Sequence, residues 1–334
     1  MKLGTRGSDL ALEQTRRVQD ALRFETERVV VETSGDSFEG DVAELGKQGV
    51  FVRELDTRVV EGELDAAVHS MKDMPTERPE GLEVAAVLRR APSHDVLVTP
   101  DGSTLEELDE GATVGTSSRR RKAQILRERD DLNVEGLRGN VDTRVEKVLD
   151  DETDYAAAVL SEAGLVGLGL VEEDEDEEDD EDDEEKARNR EADVEEGNER
   201  EDDADGLEME YERLPLDEFV PSANQGIVAV VAMDDTDAFE RLTQADHKRT
   251  RVVATAERIV LSRVGGGCIA PIGVHATVQG DRILIRADVL SSDGAESVSL
   301  DRRYDVRSYI EGAEELADEM VERGADELLR EAED

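Results

Sequence analysis

From residue 2 onward, short apolar runs alternate with stretches whose apolar positions recur every three or four residues. KLGT (2–5), RVVVET (28–33), LDAAVHS (64–70), LEVAAVL (82–88) and DVLVT (95–99) read as strands. After the first of these, Ala11, Val18 and Leu22 share one helical face, with Ser8 or Asp9 as the cap. Phe51, Leu55 and Val59, at i, i+4 and i+8, mark a second helix. The pattern restarts after Gly111, with strands ATVGT (112–116), NVEGL (133–137) and YAAAVLS (155–161). The helices SRRRKAQILRER (118–129) and VDTRVEKVLD (141–150) lie between them. Repeated strand–helix units predict two open, largely parallel α/β sheets. FVPSANQGIVAVVAM (219–233) is strand-like, and helices are expected over 236–246 and 250–263. IGVHATVQ (272–279), RILIRADVL (282–290) and SVSLDRRYDV (297–306) then alternate apolar and polar residues around turns at Gly280-Asp281 and Asp293-Gly294. That is an antiparallel three-stranded meander, and a helix over 306–332 closes a small α+β unit. The expected division is an α/β domain of 1–96 with 219–235, a second of 97–218, and an α+β domain of 236–334.

Residues 171–206 break this pattern. The stretch is nearly free of apolar residues and carries a block of like charge, so it is expected to be a disordered, solvated insertion. The 334-residue chain has a formal charge of −47, and only seven of its 40 basic residues are Lys. This composition is similar to that of proteins from salt-loving organisms, and it makes nucleic acid and anionic membranes poor partners. At about 1 M salt the Debye length is roughly 3 Å, so local guanidinium groups rather than the distant field decide what binds. The first residues lack the apolar core of a signal peptide and no apolar run reaches the length of a membrane span, so a cytoplasmic protein is expected. The one cysteine, Cys268, rules out an internal disulfide. It follows three glycines, which would let a bulky group approach, although free cysteines commonly serve as small buried hydrophobes.

The sharpest chemical signal is VGTSSRRRKAQIL (114–126), where a strand end, Ser117 and Ser118 as caps, and three Arg open a helix. Cations are unfavourable at the positive end of a helix dipole, so a carboxylate or phosphate ligand is expected there. Pairing with surface carboxylates is the alternative. LRGNVDTRVEKV (137–148), with Arg138 and Arg144, and LGTRGSDLA (3–11), with Arg6 and Ser8, repeat the arrangement. Three strand ends bearing Arg suggest a ligand with several anionic groups, bound in the crevice beyond the strand C-termini. AVHSMKDMPTERPEGL (67–82) brings Lys72 and Asp73 to another strand end. Asp73 suits a developing cation or N–H donors, or else simply pairs with a neighbouring cation. Four scattered His and one Cys offer no metal-ligand spacing, so no metal is expected, and no phosphate-cradling glycine loop is present.

Together these stretches closely resemble the porphobilinogen deaminase (hydroxymethylbilane synthase) family. The matching segments are LGTRGSDLALEQT, GVFVRELD, DAAVHSMKDMPTERPEGL, VGTSSRRRKAQIL, LRGNVDTRV, SANQGIVAV and ATAERIVLSRVGGGCIAPIG, in the family's order. With the acid-rich composition, the chain resembles a member from a halophilic archaeon. The resemblance implies two α/β domains like those of periplasmic binding proteins and an α+β third domain, acting as a monomer. It implies a transferase of tetrapyrrole biosynthesis that joins four porphobilinogen molecules head to tail, releases ammonia, and frees a linear tetrapyrrole by hydrolysis. It further implies a dipyrromethane cofactor held by a thioether to Cys268, with Asp73 as the catalytic carboxylate. Lys72, Ser117, Ser118, Arg120, Arg121, Arg138 and Arg144 match cofactor-binding positions, and Arg6, Ser8 and Gln225 match substrate-binding ones. Usual cations are replaced at three places, by Gln48, His94 and the Val166-Gly167 pair. A solute-binding protein that ignores Cys268 and a Cys-nucleophile acyltransferase are the competing readings.

Overall fold

The computed structural model describes residues 1–31, 50–150, 153–172, 209–267 and 270–333. Among these, in chain order, lie β1 (Lys2–Thr5), α1 (Asp9–Ala21), β2 (Glu27–Val30), α2 (Val50–Val60), β3 (Ala66–Ser70) and β4 (Leu82–Val87). Next come β5 (Asp95–Val98), β6 (Thr113–Gly115), α3 (Arg119–Glu128), β7 (Asn133–Glu135), α4 (Val141–Leu149), β8 (Ala157–Ser161) and α5 (Glu162–Gly167). After the acidic stretch follow β9 (Tyr211–Arg213), β10 (Val228–Met233), α6 (Asp237–Leu242), α7 (Lys248–Val264), β11 (Ile272–Gln279), β12 (Arg282–Leu290), β13 (Ser297–Asp305), α8 (Tyr309–Glu322) and α9 (Ala325–Glu333). Most of the acidic insertion, together with Gln48 and Cys268, lies outside the described residues.

Two five-stranded sheets, ordered β2-β1-β3-β10-β4 and β7-β6-β8-β5-β9, and a three-stranded sheet β11-β12-β13 form the expected pair of α/β units with an α+β third. The expectation of largely parallel sheets needs one amendment. β10 runs antiparallel to β3 and β4, and β5 antiparallel to β8 and β9, so one strand in each sheet opposes the other four. That strand is the one entering from the other sheet's half of the chain, across segments 88–94 and 214–227. The two crossing segments bond to each other through Ala91 N to Gly226 O at 2.9 Å. Gly226 adopts φ +80°, and a Cβ there would lie 2.4 Å from Ala91 O, so only glycine permits this approach.

Each sheet is packed on both faces. Leu3, Val18, Leu22 and Leu242 cover one side of the first, whereas Leu55, Val59 and Leu64 cover the other and merge with the α7, β11 and β12 core. Residue 242 was expected in the third domain, but α6 packs on the first sheet. Glu257 of α7 ties the crossing segments to the third unit: buried completely, it accepts from Arg90 Nη1 at 2.6 Å, Asn224 N at 2.6 Å and Ala276 N at 2.7 Å. The single helix expected over 306–332 is two, broken after Arg323 where Gly324 takes φ +88° and closes α8 with a left-handed cap.

Candidate active site

Strand C-termini of both sheets open on one cavity of about 670 Å³. Ser8 caps α1, its Oγ accepting from Ala11 N at 3.4 Å, and Arg6 precedes it at the end of β1. β3 ends at Ser70, and a tight 3-10 turn over Met71–Asp73 places Lys72 and Asp73 in the lining. Ser118 caps α3 in the same way, accepting from Arg121 N, while Ser117 Oγ donates to Leu137 O at 2.7 Å. Arg138 follows β7, and Arg144, on the first turn of α4, donates to Gly139 O at 2.7 Å. Gln225 enters from the returning crossing segment. All eleven expected site residues that are described line this cavity, and so do Gly267 and Ala270 on either side of the undescribed pair 268–269.

They do not all face it alike. Arg120 and Arg121 are turned onto Asp95, a fully buried carboxylate at the start of β5. Arg120 Nη1 meets Asp95 Oδ2 at 2.7 Å, and Arg121 Nη2 meets Asp95 Oδ1 at 2.8 Å. Gln225 Nε2 donates to the same carboxylate at 2.9 Å and to Ser93 O at 2.8 Å. Burial opposes ionisation of Asp95, but the two guanidinium groups overcome it and hold its pKa far below the usual 3.8. One carboxylate between two guanidinium groups leaves net positive charge, and Arg120 Nη2 is buried with no hydrogen-bond partner among the described residues. Burial, with Arg121 and Arg120 nearby, lowers the pKa of the Lys72 ammonium despite the opposing pull of Asp73 and Asp95. The expected alternative, Arg paired with a carboxylate, is thus met by the buried Asp95, and one buried guanidinium N–H group remains over in the lining. Asp73 is exposed to the cavity and forms no ion pair among the described residues.

Of the replaced cations, His94 Nδ1 lies 3.5 Å from the buried Glu162 Oε2, with Arg213 Nε donating to Oε1 at 2.7 Å. Burial disfavours that charge, yet His94 and Arg213 keep the Glu162 pKa below its usual value. Gly167 lines the cavity with no side chain to offer. Sequence reading missed Arg17 and Lys122, both in the lining. Leu10, Gln14 and Arg17 recur at i, i+4 and i+7, a spacing that would have placed them on one wall. It also missed Arg258 of α7, whose Nη1 donates to Met74 O at 3.2 Å and whose Nη2 donates to Pro75 O, immediately after Asp73.

Comparison with known proteins is consistent across the chain. The family model described as "Porphobilinogen deaminase, dipyromethane cofactor binding domain" matches residues 1–187, and "Porphobilinogen deaminase, C-terminal domain" matches 252–325. A probable porphobilinogen deaminase of Halobacterium salinarum is 43% identical over 389 aligned positions, covering 99% of this chain and 98% of that protein. One from Methanococcoides burtonii is 41% identical over 338 positions, covering 99% and 97%.

Proposed function

The chain belongs to the porphobilinogen deaminase family, a transferase that condenses four porphobilinogen molecules head to tail with release of ammonia, and from that premise we propose how the strand-end cavity performs the reaction. The observation that carries the assignment of residues is the convergence of eleven polar side chains, from four strand ends and a crossing segment, on one cavity.

The cavity suits a covalently held dipyrromethane. Its cationic lining answers a group bearing acetates and propionates, Arg120 Nη2 is an unspent buried donor, and the residues flanking Cys268 reach the wall. We assign Cys268 as the thioether anchor, with Lys72, Ser117, Ser118, Arg120, Arg121, Arg138 and Arg144 holding the carboxylates. When bound, this group supplies the free pyrrole carbon from which the product chain is extended. Arg6 and Ser8 orient the incoming porphobilinogen by its carboxylates, and Gln225, fully buried, fixes the wall behind them. As the substrate's C–N bond breaks, the amine leaves as ammonia and positive charge spreads over the pyrrole. Asp73 accepts the pyrrole N–H and stabilises that charge, an effect strengthened where water is excluded. C–C bond formation then releases the pyrrole α-proton. We take the protein to work as a monomer in the cytoplasm, as the family resemblance implies, and no described helix is long and apolar enough to cross a membrane.

Arg258 is a positioning residue. It grips two consecutive carbonyls beside Asp73 and is not itself part of the cavity lining, and a small displacement of a catalytic group is costly. Arg258→Met is expected to lower kcat about ten-fold with KM little changed and the anchored group still present by mass. A fall in thermal midpoint with kcat intact would make the contact merely structural.

The first measurement is the intact mass of the purified protein. An excess equal to two joined pyrrole units, absent from Cys268→Ser, is expected. Bare mass that persists after incubation with porphobilinogen would defeat the assignment of Cys268.

A further inference from the structure

The strand-end cations do not exhaust the positive charge of the cavity. Arg17 lines it from α1, two turns beyond the cap, and is half-buried. Its neighbour Arg16 is spent on Glu13 and Asp20, each at 2.6 Å. Arg17 forms no ion pair or side-chain hydrogen bond with any described residue. In a chain with a formal charge of −47, a guanidinium inside a cavity that pairs with no carboxylate among the described residues is a candidate partner for an anionic ligand.

Its place decides which anion. With a rise of 1.5 Å per residue, Arg17 stands about 13 Å along α1 from Ser8, well away from the cluster at the strand ends. The facing wall is α5, where Ala163, Gly164 and Gly167 line the cavity with small residues. A Cβ on Gly167 would lie 2.7 Å from Leu10 Cδ1, so α5 is packed closely against α1 there. The wall that carries Arg17 thus lies where the two α/β units meet, and Arg17 shares it with Glu13 and Gln14. Each added pyrrole brings an acetate and a propionate that need partners, and the assigned cations Arg6, Lys72, Arg138 and Arg144 all stand at strand ends.

Resting on the deaminase reading above, we infer that Arg17 forms an outer carboxylate subsite that receives pyrrole rings added late in elongation. It selects for chain length rather than for the first substrate.

The test uses the full-length, loaded protein. In Arg17→Gln, step-resolved intact masses should show the ratio of the last to the first addition rate falling about ten-fold relative to wild type. Arg17→Lys should restore most of it. Independently of turnover, phenylglyoxal should modify Arg17 in protein carrying only the primer, and modification should fall once longer chains are bound. An unchanged rate ratio, or equal Arg17 reactivity at every chain length, overturns the subsite. Wild-type protein that gains no chain mass at all would overturn the deaminase reading itself, and the subsite with it.

Discussion

Asp73→Asn lowers kcat by about 10²–10³-fold, the loss seen when one electrostatic stabiliser of a developing charge is removed. The amide keeps the size and an accepting oxygen but not the charge. What disappears is therefore attraction to the cation that forms as ammonia leaves, and KM should change far less than kcat. Geometry favours so large an effect. Asp73 lies in a 3-10 turn behind a buried strand and beside a Pro that cannot extend it, with the following carbonyls held by Arg258. No described side chain pairs with its carboxylate, so its charge is available to substrate. Single-turnover rates with porphobilinogen, alongside a melting curve to show that the variant is folded, make the measurement. A rate within three-fold of wild type would assign Asp73 to surface charge rather than to chemistry.

The strand ends were legible because helix electrostatics made them so. Arg at the start of α3, Ser8 and Ser118 as caps, and Lys72-Asp73 before a Pro are anomalies visible in short windows of sequence. The meander β11–β13 was equally plain, with period-two alternation bounded by Gly turns. What escaped was set by distant partners. Asp95 opens a strand that reads DVLVT, and nothing near it reveals two guanidinium groups 25 and 26 residues on. Arg258 reaches Met74 across 184 residues of chain. The reversed strands β5 and β10 follow from the chain crossing twice between sheets, and periodicity is blind to strand direction. β9, three residues beside a long acidic run, is too short to announce itself. Gly324 was a local signal left unused, since a glycine after a charged last turn commonly ends a helix.

Asp95→Ala should be the most destabilising single change in the cavity wall. It strands two guanidinium groups that are almost fully buried, and removal of one partner from a buried ion pair costs about 3–5 kcal/mol. For a chain of this size that corresponds to a fall in Tm on the order of 10 °C. Asp95→Asn keeps an acceptor for Arg120, Arg121 and Gln225 but not the charge, so its loss should be smaller. The pH dependence separates charge from packing. Because the folded-state pKa of Asp95 is depressed, its contribution is fully present above the ordinary value of 3.8 and is lost only as pH falls below that toward the depressed one. The stability gap between wild type and Asp95→Asn should therefore be flat from about pH 5 to 8 and narrow only in stronger acid. A gap that already closes between pH 7 and 5 would mean that another group provides the counter-charge. Function should follow stability here. Asp95 fixes the direction of Arg120 and Arg121, and the positive charge left after it neutralises one of them faces the cavity. Releasing both guanidinium groups from that carboxylate should weaken retention of a carboxylate-bearing ligand even at temperatures where the variant is fully folded.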